Sequence, residues 1–211
     1  MKICCLSDLH GTLPPVLPAC DLVVIAGDIC PDFWYHGPNP KAQASWLDLE
    51  FRAWLQKVPP VIGIWGNHDF VGQYPTLIPD LPWTLLQDSG CVVKHLKIWG
   101  TPWTPTFGRW AFMAEEDTLG TTFELIPPGT NVLLSHGPPR DRLDECVGGE
   151  RVGSRSLRRA IQSQSDLNLV VCGHIHEARG ISNLYGATLI NASCVDERYV
   201  MRAEPWILVE L

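Results

Sequence analysis

Five short clusters of aspartate, histidine and asparagine bring together side chains that could do metal or acid–base chemistry. They read Ser7-Asp8-Leu9-His10, Gly27-Asp28, Gly66-Asn67-His68-Asp69, Ser135-His136-Gly137 and Gly173-His174-Ile175-His176. Asp8 and His10 are two residues apart, as are His174 and His176. In extended backbone each pair leaves on one face and can grip a single ion. A carboxylate such as Asp28 has two oxygens and can bridge two cations, whereas a neutral imidazole holds one. The Asn67 carbonyl can ligate a metal without adding charge. His68 beside it can then face a substrate, with Asp69 fixing the tautomer of that ring.

Each cluster alone has an ordinary alternative: an Asx turn at Asp8 or Asp28, a Gly-Asn turn at Asn67, a structural histidine at His136. Their combination decides between the readings. Seven candidate ligands of hard and borderline type accumulate: Asp8, Asp28, Asn67, His10, His136, His174 and His176. Five of the seven histidines lie in these clusters, leaving only His36 and His95 outside.

Such a set needs elements that deliver it to one place. Each cluster follows a short apolar run, over residues 2–6, 21–26, 61–65, 131–134 and 167–172. Runs of Val, Ile and Leu without alternation predict strands buried on both faces, with layers packed over the sheet. Open α/β sheets gather their ligands at the carboxyl ends of such strands. Trp46, Leu47, Phe51, Trp54 and Leu55 predict a helix over residues 41–57. A second helix is expected over 154–165, with Ser154 as N-cap and Leu157 and Ile161 facing inward. Residues 84–99 read as a hairpin around Asp88-Ser89-Gly90, and residues 181–211 as short strands with turns at Tyr185-Gly186 and Asp196-Glu197. The 18 prolines are dispersed, and no repeat or linker divides residues 1–211. One domain is expected.

The composition, 45% hydrophobic and 18% charged over 211 residues, is that of a globular chain. A net charge of -7 argues against a wide electropositive surface for extended nucleic acid or membrane. It leaves room for a phosphorylated small molecule, because bound metal supplies positive charge locally. The N-terminus reaches Asp8 too soon for a secretory signal, and no apolar run has the length of a membrane span. Eight cysteines without a CxxC pair, two of them adjacent at Cys4 and Cys5, read as reduced thiols. A cytoplasmic location is the expectation.

In order along the chain, D-x-H, G-D, G-N-H-D, H and G-H-x-H resemble the calcineurin-like metallophosphoesterase superfamily, over Asp8 to His176. Trp99-Gly100-Thr101-Pro102-Trp103, Trp110-Ala111-Phe112 and Cys172-Gly173-His174-Ile175-His176-Glu177 narrow the resemblance to the metallophosphoesterase-domain-containing group. That group is associated with hydrolysis of phosphodiesters, cyclic nucleotides included. The resemblance implies an α/β fold: a four-layer α-β-β-α sandwich of two mixed sheets with the metal site at the C-terminal strand ends. It implies one metal on Asp8, His10, Asp28 and His176, and a second on bridging Asp28, Asn67, His136 and His174. His68 would stand beside the phosphate with Asp69 behind it. Protein phosphatases of the superfamily carry Val-Asp-Arg-Gly after the Gly-Asp motif. Here Gly27-Asp28 runs on as Ile29-Cys30-Pro31-Asp32, without that phosphate-gripping arginine.

The implied chemistry is an in-line displacement clamped by two divalent ions about 3.5–4 Å apart, with a metal-bridging hydroxide as nucleophile. His68 would protonate the leaving alkoxide or stabilise charge there. Manganese or iron is the favoured occupant, with zinc and nickel accepted by the same ligands. Arg109 and Arg140 are candidate phosphate contacts, and Trp34, close after Asp28, is a candidate stacking surface for a nucleobase. Two alternatives stay open: a phosphomonoesterase on the same metals, and a non-catalytic phosphate-binding scaffold.

Overall fold

The computed structural model describes residues 1–32 and 38–211. Strands β1 (Lys2–Leu6), β2 (Leu22–Ala26), β3 (Val61–Ile64) and β4 (Thr84–Leu85) run parallel, and β13 (Ile207–Glu210) closes the far edge antiparallel to β1. A second sheet has the order β11-β12-β10-β9-β6-β5. It is built from β5 (Ser89–Val93), β6 (Leu96–Thr101), β9 (Val132–Ser135), β10 (Leu169–Cys172), β11 (Gly180–Leu184) and β12 (Ala187–Asn191). Its four inner strands are parallel and its two edge strands antiparallel, so both sheets are mixed, as expected. A two-residue pair, β7 (Thr104–Pro105) with β8 (Met113–Ala114), ties down the loop between β6 and the next helix.

The unbroken apolar runs are buried on both faces for a simple reason: each sheet is covered twice. Ile3, Cys5, Val24, Ala26, Ile62 and Ile64 of the first sheet meet Val132, Leu134, Val171 and Ile190 of the second. The other face of the first sheet, with Cys4, Leu6, Val23 and Ile25, packs on Trp46, Leu47, Phe51, Trp54 and Leu55. The other face of the second, with Leu133, Val170, Cys172 and Leu189, packs on Leu119, Phe123, Leu157 and Ile161. Helices therefore flank the paired sheets on both sides. Cys4, Cys5 and Cys172 are wholly buried, and all eight cysteines are free thiols. Among the described residues no helix is long and apolar enough to cross a membrane.

The first helix is continuous: α1 (Pro40–Trp46), a π-helical turn (Leu47–Phe51) and α2 (Arg52–Leu55). Asn39 caps it by accepting from the Ala42 N–H, and Pro40 sits at the first position, where its missing donor costs nothing. The last helix, α4 (Arg155–Gln162), begins at Ser154, whose hydroxyl accepts from the Leu157 N–H as the sequence predicts. Helix α3 (Glu116–Phe123) escapes sequence reading. Only Leu119 and Phe123 mark its buried side, among threonines and a glycine.

One expected element is different. The hairpin lies over β5 and β6 with its turn at Lys94-His95, while β4 belongs to the first sheet. The chain instead crosses between the sheets over residues 86–88, and Ser89 and Gly90 already pair with Gly100 and Trp99 as the start of β5. The Asp88 carboxylate accepts from Thr101 Oγ1 (2.7 Å) and Trp103 Nε1 (2.8 Å), which bends the chain away from β4.

Candidate metal centre

All five clusters sit where parallel strands end: β1, β2 and β3 of the first sheet, β9 and β10 of the second. Two backbone features bring them together. Gly66 and Gly173 are points of close approach, where a Cβ would overlap Asp28 Oδ1 and Asp8 Oδ2 respectively. Four candidate ligands also take left-handed backbone, with φ of 54° at Asp8, 43° at His10, 52° at Asp28 and 70° at His174. That conformation is unfavourable for side chains with a Cβ and persists where neighbours over-determine it. Here the Asp8 N–H donates to Gly27 O, the His10 N–H to Asp28 O, and the His174 N–H to the Asp8 carboxylate.

The structure brings the seven candidate ligands together in two adjacent groups. Ligand atoms of Asp8, His10 and His176 lie within 4.8 Å of one another, as do those of Asp28, His136 and His174. Asp28 Oδ2 stands between the groups, 3.1 Å from His136 Nε2 and 3.9 Å from His10 Nε2. Asn67 Oδ1 is 2.9 Å from His136 Nε2 and joins the second group. Ring orientation is set from behind. His136 Nδ1 donates to Ala26 O (2.8 Å) and His176 Nδ1 to Asp196 O (3.1 Å), so both rings present Nε2 to the carboxylates. With Nδ1 donating to Ala26 O, His136 Nε2 faces the oxygens of Asp28 and Asn67, and either a second ring proton or a metal ion reconciles those three atoms. These donors fit divalent metal.

The electrostatics describe the same competition. Burial opposes charge on Asp8, but His176 and His136 hold its carboxyl well below the usual range. Burial is likewise outweighed at Asp28 by His136 and His68, which lower it strongly. Burial disfavours charge on His136, yet Asp28 pushes it up to about 9, whereas burial and His136 push His174 down to about 3.

His68 lies beside the ligands: its backbone N–H donates to Asp28 Oδ1 (2.7 Å), and its ring stacks on Trp110 with centroids 4.3 Å apart. The carboxylate behind that ring is Asp32, which sequence reasoning missed. Asp32 Oδ1 is 2.5 Å from His68 Nδ1, and Asp32 Oδ2 is 2.8 Å from His10 Nδ1. Burial works against an imidazolium at His68, but Asp28 and Asp32 outweigh it and raise the ring above its ordinary value. Asp69, expected in that role, accepts instead from the N–H groups of Ile29, Cys30 and Gly66. It clamps the two ligand loops to each other. Burial and the Asp28 charge push its carboxyl up to about 6 against those three donors.

Ser193 and Asn191 are two further supports outside the motifs. Ser193 Oγ donates to Asp8 Oδ2 (2.6 Å), and Asn191 Nδ2 donates to Ile175 O (2.8 Å). Their signal in the sequence is faint, since Asn191-Ala192-Ser193 is only a polar end to another apolar strand.

A cleft of about 620 Å³ opens onto the ligands, walled by Phe107, Trp110 and Tyr199 and rimmed by Glu177 and Glu197. No arginine or lysine lines it among the described residues. Arg109 is exposed outside the lining. Arg140 turns away to the Arg151 carbonyl and Asp141 (3.6 Å), in a different groove. Neither is placed to contact a substrate in this cleft. Trp34 lies outside the described residues.

Comparison with known proteins agrees with this geometry. Residues 1–178 match the family model for calcineurin-like phosphoesterase. Metallophosphoesterase domain-containing protein 1 of Homo sapiens and its Mus musculus counterpart are each 30% identical over 241 aligned residues, spanning 100% of this chain and 71% of theirs. An uncharacterized protein of Methanocaldococcus jannaschii is 28% identical across 92% of this chain and 88% of its own length. A solved crystal structure superposes with a TM-score of 0.69 at 13% identity, covering 91% of this chain and 90% of that one, which speaks to the fold. The chain belongs to the calcineurin-like phosphoesterase family, whose chemistry is metal-dependent hydrolysis of phosphoesters.

Proposed function

We propose that this protein hydrolyses small phosphodiesters, nucleotides among them, with one divalent ion on Asp8, His10, Asp28 and His176 and a second on Asp28, Asn67, His136 and His174. The observation that carries the reading is the position of Asp28 Oδ2 between His10 Nε2 and His136 Nε2. When bound, such ions supply Lewis acidity toward phosphoryl oxygens and a water of lowered pKa as nucleophile. The rest is the work of the chain. Ala26 O and Asp196 O hold the tautomers of His136 and His176, and Ser193 fixes Asp8. Asp32 and Asp28 favour a proton on His68, which hands it to the departing alkoxide. Trp110 holds that ring in plane against its face.

Diester preference is supported by charge. A diester is a monoanion, whereas a monoester is largely dianionic at neutral pH. A cleft whose lining carries Glu177 and Glu197 and no arginine or lysine among its described residues resists the second negative charge. The aromatic walls suit a flat group such as a nucleobase. The measurement is kcat/KM for bis-p-nitrophenyl phosphate against p-nitrophenyl phosphate on the metal-loaded enzyme. The diester is expected to be the better substrate, and a higher value for the monoester overturns the preference. Metal binding without turnover of either would favour a scaffold.

A further inference from the structure

A second concentration of charge lies in a groove that shares no lining residue with the metal cleft. Arg155, Arg158 and Arg159 stand at positions i, i+3 and i+4 of α4, on the side opposite buried Leu157 and Ile161. Arg140 joins them across the groove. Like charges at this helical spacing repel one another, so the stripe is unfavourable unless something offsets it. The chain has a net charge of -7 and carboxylates to spare, yet only Asp141 faces these four guanidinium groups in the groove. It pairs with Arg158 (2.5 Å) and more loosely with Arg140 (3.6 Å). Among the described residues no carboxylate pairs with Arg155 or Arg159, and the Arg159 side chain donates only to Ser156 Oγ (2.9 Å).

The groove is also pre-shaped. Arg158 is held on three sides, by Asp141, by the Arg140 carbonyl (3.1 Å) and by the Tyr185 hydroxyl, which accepts from its Nε (3.1 Å). Tyr185 reaches it from the β11–β12 turn with a φ of 53°, a position that favours asparagine or glycine. The amides at the start of α4 are already taken by Ser154 and Glu116, so the positive character of the groove is that of the guanidinium forks. Such forks match the oxygens of a phosphate group. The volume, about 450 Å³, lies in the range of small-molecule sites.

We propose that this groove is a second ligand site, for a small phosphate-bearing molecule with two or more negative charges, such as a nucleoside diphosphate. Four guanidinium groups against one carboxylate call for that charge, and the net charge of the chain disfavours a long polyanion. The inference does not rest on which ester the metal cleft hydrolyses.

The test is fluorescence titration of the metal-loaded 211-residue chain with N-methylanthraniloyl-ADP. Arg155→Ala/Arg159→Ala is expected to weaken binding by at least about tenfold while leaving turnover of bis-p-nitrophenyl phosphate unchanged. Asp28→Asn, which disables the metal cleft, should leave the titration intact. Equal affinity for wild type and the double-arginine variant overturns the proposal, as does loss of binding in Asp28→Asn alone. An arginine-dependent affinity for a single-stranded oligonucleotide exceeding that for the nucleotide would assign the groove to nucleic acid and overturn it too.

Discussion

Asp32 sits between two imidazoles, and that position decides how a proton is held at His68. One oxygen bonds His68 Nδ1 at 2.5 Å, while the other lies 2.8 Å from His10 Nδ1 without hydrogen-bond geometry, so the carboxylate orients the candidate acid and only neighbours the candidate ligand. His68→Ala should keep metal and lose about 10²–10⁴-fold in kcat for esters with poor leaving groups, and far less for p-nitrophenyl esters. Asp32→Asn, assayed at saturating metal, should follow the same leaving-group trend with a smaller loss, about 10–100-fold. An equal loss for good and poor leaving groups would remove the proton-donor role from both. The candidate ligands were readable because each falls within four residues of a strand end. Asp32 was not, because Cys30-Pro31-Asp32 lies in a loop whose course no periodicity describes. Asp69 misled for a related reason: adjacency to His68 in sequence says nothing about which group its carboxylate faces once the turn closes on Ile29 and Cys30.

Loops between the strands give the cleft its walls, and they differ in what else they support. Trp103 is tied to Asp88 and packs on Phe112, so it serves the fold. Trp110 serves His68. Phe107 is 59% exposed, lies 5.3 Å from the His174 ring and lines the cleft, which leaves it available to a substrate. Stacking on an aromatic side chain is worth about 1–3 kcal/mol per base. Phe107→Ala should therefore raise KM for a cyclic nucleotide by roughly 5–150-fold while Tm stays unchanged. A parallel fall in Tm would make the ring structural. The strands and α4 were legible because apolar runs and a Ser154 cap carry their own signal. The crossover at Asp88 was not, since a turn-forming tripeptide cannot tell a hairpin from a change of sheet. The aromatic stretch Phe33-Trp34-Tyr35 lies outside the described residues.

At the scale of the molecule, metal and protons compete for one buried cluster. In chelator-treated protein, the contact with Asp28 raises His136 to about 9. A raised histidine contributes stability that is complete below its unfolded value of about 6.5 and is lost as pH climbs through about 9. His174, held down to about 3, has the opposite sign: its contribution is present above about 6.5 and is lost as pH falls. The chelated protein should thus lose stability both above and below a point near pH 6.5. Ligation requires neutral imidazole, so the metal-loaded protein should escape the alkaline loss. Metal uptake at pH 7.5 should release about one proton per chain from His136, which calorimetry in buffers of different ionisation enthalpy measures directly. No proton release would mean that His136 does not ligate.

Asp8, His10, Asp28 and Asn67 leave the first sheet, while His136, His174 and His176 leave the second. The centre is therefore a gauge of shear. The layer between the sheets is largely aliphatic side chains, with backbone ties such as the Ser7–Ser193 bridge near the catalytic rim. Sliding one sheet against the other would change the spacing of ligands long before it unfolded anything. Ile190→Val in that inner layer and Ile161→Val in the outer helix layer should each cost about 0.5–1.5 kcal/mol of stability. Only the inner substitution should alter kcat, although neither residue touches the cleft. If both leave turnover alike, the sheets are locked by their rim, and activity in this fold is insulated from the packing beneath it.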